Sequence, residues 1–348
     1  MVDYIIVGFG LAGLSFAEQL ENNSNSYIVI EDNSQKSSRV AGGLCNPVIL
    51  KRFTAAWNAS DQLKTAVTFY KNIEDKLGES FVVDLPIFRR FNSIEEQNTW
   101  FEACDKPVLA EFLSSELVKN ENSSLDVPYY YGQVHKTRRI DIKKMLSIYV
   151  DYLKEGKRYI EESFEYDRLT IKEDSVEYKG VKAKNIIFCE GFGVKKNPFF
   201  NYLPLVGNKG EYLIIKSTEL QLKEAVKSSI FIIPLGENLY KVGATYNNQD
   251  KSSDTTRVAK EELQEKLAKF LKADYKIVDQ VAGIRPTVKD RRPLIGTHPE
   301  QEKIHILNGF GSRGIMIGPS VAKMLYDYIE KGIDMDPEID IKRFDGLR

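Results

Sequence analysis

Three cysteines stand far apart in this chain of 348 residues, at Cys45, Cys104 and Cys189. They supply neither a CxxC pair nor a disulfide framework, which suits a reducing compartment. Histidine is as scarce. His135, His298 and His305 show no metal-ligand spacing, so no metal site is expected and the three are read as structural. An excess of one charge is missing too: 49 basic residues against 50 acidic ones leave a net charge of −1, and with it no overall field to recruit nucleic acid or an anionic membrane. The first apolar run, Tyr4 to Val7, is cut by glycine too early for a signal peptide or a membrane helix, and no basic segment precedes it. A cytoplasmic protein with no membrane partner is expected. Internal repeats and low-complexity tracts are absent. What remains is globular in composition, 42% hydrophobic, 28% charged and 11% aromatic, at a length that buries a substantial core and suggests two domains.

The most informative segment lies near the start. Asp3 to Val7 reads as a strand, Gly8-Phe9-Gly10-Leu11-Ala12-Gly13 as a turn, and Leu14 to Leu20 as a helix. In such a unit Gly8 permits the tight turn, Gly10 lets the backbone approach phosphates, and Gly13 lets helix and strand pack closely. The free N–H groups at the helix start, among them those of Leu11 and Ala12, attract an anion. The motif alone is weak evidence, but a second strand, Tyr27 to Ile30, ends in Glu31, about 20 positions past the turn. A carboxylate there accepts ribose hydroxyls and repels a 2′-phosphate. The unit reads as a dinucleotide cradle.

Farther along, Val40 to Pro47 is small and glycine-rich, and its Gly42, Gly43 and Leu44 suit contact with a flat ligand. Helical spacing predicts a long helix over Thr54 to Leu77 and another over Ile94 to Ala103; Phe81 to Phe91 reads as extended, and the polar stretch Ser114 to Asp126 as a loop. Asp141 is placed to cap a helix over Ile142 to Leu153. Runs around Tyr159 to Glu162, Leu169 to Lys172 and Ser175 to Tyr178 suggest a β-meander feeding a buried strand that closes on Gly191. A β-rich block over Gly207 to Gly283 carries one amphipathic helix, from about Thr256 to Leu271. A last strand, Ile304 to Leu307, leads into a glycine turn, Asn308 to Gly314, and a helix from Ser320 to Lys331 with Pro319 in its first turn. Lys136, Arg138, Arg139, Lys143 and Lys144 form a local basic cluster, which reads as a solvated face or as an RNA contact.

Three separated segments carry a resemblance. Gly8 to Gly13 with Glu31, Val281 to Pro286 with Asp290 and Pro293 to Gly296, and Gly309 to Pro319 together resemble the glycine oxidase and D-amino-acid oxidase (DAO-like) family of FAD-dependent oxidoreductases. Ile186 to Gly191 and Val242 to Thr245 add to it. The turn Gly311 to Gly314 is similar to that of the oxidase half of the bifunctional tRNA wobble-uridine modification enzyme.

The resemblance implies an α/β fold: a Rossmann-like FAD-binding domain from residues 1–84, 130–203 and 284–348, and a second, mixed β-sheet substrate domain from 85–129 and 204–283. It implies FAD with its pyrophosphate on Gly8 to Gly13, its ribose on Glu31, and its ring between the Gly42-Gly43-Leu44 segment and the C-terminal turn, with Gly191 closing the strand and turn beneath the cofactor. Amides around Gly314, Ile315 and Met316 would then face the charge that reduction places on the ring. The implied reaction is oxidation of the C–N bond of a small-molecule amine or amino acid carrying a carboxylate, by hydride transfer to flavin N5, with no protein base required and oxygen or an electron carrier as the acceptor. Arg285, in Gly283-Ile284-Arg285-Pro286, would clamp the carboxylate, and Arg313 is a second candidate.

Two departures qualify this. Phe231 stands where glycine oxidase has a tyrosine, and no cysteine accompanies Gly283 to Pro286 to tether the flavin, so noncovalent FAD is expected. A tRNA-modifying FAD oxidase acting on a carboxymethylaminomethyl uridine, with nucleic acid as its partner, and an FAD-binding protein without turnover are the alternatives.

Overall fold

Val2–Val7 is an almost unbroken apolar strand because it is covered on both faces, and it lies parallel to Tyr27–Glu31 on one edge and to Val181–Phe188 on the other. The computed structural model describes residues 1–347 of the chain. Within the first eight-stranded sheet the order runs from Tyr159–Glu161 through Tyr27–Glu31, Val2–Val7 and Val181–Phe188 to Val176–Tyr178 and Leu169–Ile171. Strand Val181–Phe188 divides its second edge. Its beginning holds the antiparallel hairpin from Val176–Tyr178, while Ile186, Ile187 and Phe188 pair in parallel with Ile304, His305 and Ile306. The expected meander is therefore shorter than its sequence pattern suggested. Tyr159–Glu161 leaves it to extend the parallel sheet beside Tyr27–Glu31.

The second eight-stranded sheet runs Lys276–Arg285, Asn208–Lys216, Leu239–Gly243, Phe231–Gly236, Ala225–Lys227, Ile87–Arg90, Tyr131–Val134 and Leu113–Val118. Leu113–Val118 falls in the stretch expected to be a loop; it is an edge strand whose central residues face solvent, so polar residues there cost nothing and conceal the strand. Helix Arg257–Ala268, capped by the Thr256 hydroxyl on the Ala259 amide, covers one face of this sheet through Leu263 and Leu267. It stops short of Leu271, whose backbone forms a bridge with Leu125.

Two other helices differ from expectation at their starts. Ala59–Leu77 begins later than Thr54, because Thr54–Ala55 pairs with Val48–Ile49 and Asn58 takes a left-handed conformation at φ +46°. The C-terminal helix begins earlier, at Gly314, so Pro319 lies inside it rather than in the first turn. A proline removes the donor that would bond the carbonyl four residues back. That carbonyl, of Ile315, instead accepts the Tyr70 hydroxyl at 2.9 Å, from the middle of the Ala59–Leu77 helix.

Helices Leu11–Asn22 and Gly314–Lys331 pack closely. A Cβ on Gly318 would meet Ser15 Oγ at 2.7 Å, and one on Gly314 would meet Leu11 Cδ1 at 3.0 Å. The two helix N-termini therefore start side by side, at the carboxyl ends of the parallel strands, where an open α/β sheet receives its ligand.

Candidate active site

One cavity of about 1420 Å³ runs from the glycine turn to the second sheet. Gly8, Gly10, Leu11, Ala12 and Glu31 line it at one end, Gly42, Gly43, Leu44 and Gly191 farther in, and Arg285, Gly311, Arg313, Gly314, Ile315 and Met316 on the remaining wall. Gly13 is not on the surface of the cavity. It lies beneath, where an added Cβ would stand 2.1 Å from the Gly8 carbonyl oxygen.

The turn is packed so closely that side chains on its glycines would collide with neighbouring atoms. Gly8 has φ +95° and its Cβ position is 2.6 Å from the Cys189 carbonyl oxygen; that of Gly10 is 2.8 Å from Ser38 Oγ, which also accepts the Leu11 amide at 3.1 Å. Glu31 is buried, and its carboxylate accepts from the Phe9 amide and from the Asn33 amide, the latter at 2.6 Å. Burial pushes its pKa up, and these two amides oppose that shift. Each carboxylate oxygen has a further lone pair for a hydroxyl.

Glu190 is a group that the sequence pattern did not single out. It lines the cavity next to Gly191 and accepts from Asn197 Nδ2 at 2.7 Å and from the Tyr166 hydroxyl. Burial, with the charges of Asp32 and Glu31 adding, pushes its pKa up to about 7. The folded state thus holds this proton more tightly than the unfolded chain does. The resulting stabilisation is complete below the ordinary value of 4.5 and is lost as pH rises through about 7. Glu190→Gln is therefore expected to raise Tm relative to the parent at pH 8 more than at pH 5, by up to about 3 kcal/mol in stability. Parallel Tm profiles from pH 5 to pH 8 would exclude it.

Arg285 ends the strand Lys276–Arg285 and is buried. Its guanidinium donates to Asn208 Oδ1 at 2.7 Å and to the Thr245 carbonyl at 3.4 Å, both neutral partners, and stacks 4.6 Å from the ring centre of the largely exposed Tyr246. It lies across Gly210, whose Cβ position is 2.0 Å from Arg285 Nη2. A glycine inside an otherwise regular strand marks close approach by another group, and Gly210 was the available signal for this arrangement. Arg313 precedes the C-terminal helix as its cap residue, and its Nη1 is buried without a hydrogen-bond partner. Burial pushes its pKa down, the Arg291 charge adds to that, and Tyr246 counters it. A buried guanidinium with an unused donor is costly and is relieved by an anion.

Other candidates take structural positions. Cys45 is buried, and burial pushes its thiol up to about 12. His305 lies between Thr297 Oγ1 at 2.8 Å and Asn185 Oδ1 at 3.2 Å, with burial pushing its pKa down to about 3. In the basic cluster, Lys136 pairs with Glu111 at 2.6 Å, Arg138 with Asp84 at 2.8 Å, Arg139 with Asp141 at 3.5 Å and Lys144 with Glu79 at 2.9 Å. Its charge is largely compensated. Among the described residues no group of acidic, histidine and cysteine side chains is arranged to hold a metal ion, and no helix is long and apolar enough to cross a membrane.

A glycine-lined cradle at paired helix starts, opening into a cavity with one buried and one partly buried arginine, defines a dinucleotide-dependent enzyme. The sequence matches the DAO family, FAD dependent oxidoreductase, over residues 3–328, and the chain belongs to that family. It is 29% identical over 164 residues to glycine oxidase of Bacillus subtilis (strain 168), a match covering 45% of this chain and 44% of the relative, less than half of the relative's length. Its fold is that of glycine oxidase from Geobacillus kaustophilus, with a TM-score of 0.80 at 17% identity over 97% of this chain and 98% of the other. Iminodiacetate oxidase from Chelativorans sp. BNC1 superposes with a TM-score of 0.77 at 16% identity over 97% and 98% of the two chains. The cofactor is FAD, and the residues present fit its pyrophosphate: Gly8, Gly10, Leu11 and Ala12 line the cavity at a helix N-terminus, and the glycines put no side chain there.

Proposed function

We propose that this chain oxidises the C–N bond of an amine or amino acid that carries a carboxylate, with Arg285 and Arg313 as the partners of that carboxylate. The observation that carries the reading is a pair of arginines on one cavity, the partly buried Arg313 with an unused, buried Nη1 donor and the buried Arg285 with only neutral acceptors. Tyr246 neighbours both. The relatives named glycine oxidase and iminodiacetate oxidase support the substrate class.

Gly8 to Gly13 and Glu31 would hold the adenosine diphosphate part of FAD, and Gly42, Gly43, Leu44 and the amides from Gly314 to Met316 its ring. Bound FAD supplies a two-electron acceptor. The protein's own part is to hold and orient the substrate: the guanidinium groups fix its carboxylate through charge-assisted bonds and so present the carbon next to the amine to the cavity interior. Phe231 lines the same cavity and offers an apolar wall instead of a hydroxyl. That favours N-substituted or bulky amino acids over glycine. FAD is held noncovalently on this reading, since burial pushes the thiols of Cys45 and Cys189 upward, away from the reactive thiolate.

The test is anaerobic mixing of the holoenzyme with glycine, N-alkylglycines, larger amino acids and amines without a carboxylate, followed by flavin absorbance. Bleaching by the carboxylated, N-substituted members ahead of glycine is the expected result. Bleaching confined to amines that lack a carboxylate overturns the proposal.

A further inference from the structure

Past Phe231 the cavity wall changes character. Lys227 is paired with Phe231 across the hairpin, its ammonium 5.0 Å from the Phe231 ring centre, and its hydrogen bond goes to the Ser229 carbonyl at 2.8 Å rather than to a carboxylate. The charged groups around it are cations: Arg89 from the neighbouring strand, Lys266 from the covering helix and Lys51 from the loop after Ile49. All four line the cavity. Glu96 compensates Arg89 and Glu262 compensates Lys266, which leaves Lys227 and Lys51 uncompensated. Arg89 is itself buried, donates to the Ser228 carbonyl at 2.7 Å, and keeps its Nε buried without a partner. Burial and these like charges hold the Lys227 ammonium down at about 7. A cluster of this kind is unfavourable in the unliganded protein and becomes favourable when an anion enters.

The sheet register sets the distance from the arginine pair. Lys227 lies opposite Phe231, Phe231 opposite Gly243, Gly243 opposite Tyr212, and Tyr212 opposite Val281. At about 4.8 Å per strand, with Arg285 farther along the last one, the two backbones are on the order of 20 Å apart. Arg285 leans over Gly210 and Lys227 over Phe231, each toward the other by about one strand spacing, which leaves on the order of 10 Å between two bound anions.

We propose that the group around Lys227, with Arg89 and Lys51, is a second anion subsite, and that the substrate is a dianionic N-substituted amino acid. Its amino-acid carboxylate lies on Arg285 and Arg313, and the far end of its N-substituent carries a second carboxylate. This rests on the carboxylate assignment of the preceding subsection. The second carboxylate selects among substrates and takes no part in bond breaking.

Binding to the holoenzyme tests this without turnover. Non-oxidisable α,ω-dicarboxylates spanning on the order of 10 Å are titrated against monocarboxylates of equal length, read by the shift in flavin absorbance. The dicarboxylate is expected to bind about tenfold tighter. Lys227→Gln should bring the two affinities to within about twofold of each other, and Lys51→Gln, at an exposed position that tolerates substitution, should reduce the ratio in the same direction. A second arm compares anaerobic bleaching by N-(ω-carboxyalkyl)glycines and N-alkylglycines, where the carboxylated series should show a lower KM at similar kcat. Equal affinities in the parent, or a preference untouched by both substitutions, overturns the subsite. A dicarboxylate preference that persists although no carboxylated amine bleaches the flavin overturns the amine-oxidation reading and leaves the subsite standing.

Discussion

Gly13→Ala protein should purify colourless. The added methyl would stand 2.1 Å from the Gly8 carbonyl oxygen, a backbone atom that cannot rotate away, so helix Leu11–Asn22 must withdraw from strand Val2–Val7. Overpacking of this kind costs about 1–3 kcal/mol where side chains can yield, and more where backbone is the obstacle. The greater loss is functional: the first-turn amides at Leu11 and Ala12 shift together, and with them the alignment that a pyrophosphate requires. FAD per chain after desalting is the measurement. Gly346→Ala serves as the control, because no atom lies within 4 Å of its Cβ position. Stoichiometric FAD in Gly13→Ala would show that the cradle tolerates a wider helix–strand gap.

Arg285→Ala and Arg313→Ala should each slow flavin bleaching by an anionic amine roughly ten- to a hundredfold in kcat/KM, the equivalent of about 1.5–3 kcal/mol for a charge-assisted bond. FAD content should not change. The two differ in stability. Arg285 is satisfied by Asn208 and Thr245 and rests on Gly210, so its removal leaves a cavity and an unpaired amide oxygen, and Tm should fall. Arg313 carries a buried donor with no partner, so Arg313→Met should raise the Tm of the ligand-free protein while lowering activity. Opposite Tm shifts with parallel losses of rate mark an arginine held ready for a ligand and separate that role from general structural damage. If both variants bleach like the parent, neither arginine grips the substrate.

Much of the cofactor end is legible in the sequence because each requirement there is local. The Gly8 to Gly13 turn, the strand on either side and the acid at Glu31 lie within about 30 residues, the length of one βαβ unit. The second sheet is less legible. Leu113–Val118 has apolar residues only at its ends and a polar middle, Ser114 to Glu116, which conceals it, and Tyr159–Glu161 carries the alternation of a hairpin strand but pairs in parallel with a strand far back in the chain. Helix starts fail for a related reason. Tertiary contacts override the local signal when Thr54–Ala55 pairs with Val48–Ile49, and when Tyr70 supplies the bond that Pro319 withholds. In the site, Arg285 was singled out by its neighbours in sequence, whereas Glu190 and Lys227 owe their perturbed acidity to groups that sequence does not bring near them.

Strand Val181–Phe188 shares its second edge between a hairpin made from the residues just before it and a strand, Gln301–Asn308, that emerges from the ribosome much later. During synthesis that half of the edge stays open while most of the second sheet is made, and the helix Gly314–Lys331, whose start lies beside Leu11, follows later still. Contacts of such sequence separation form slowly. The glycine turn therefore cannot acquire its full surroundings from the first βαβ unit alone, and a polypeptide lacking residues from Gln301 onward would leave the turn without the strand and helix that pack beside it.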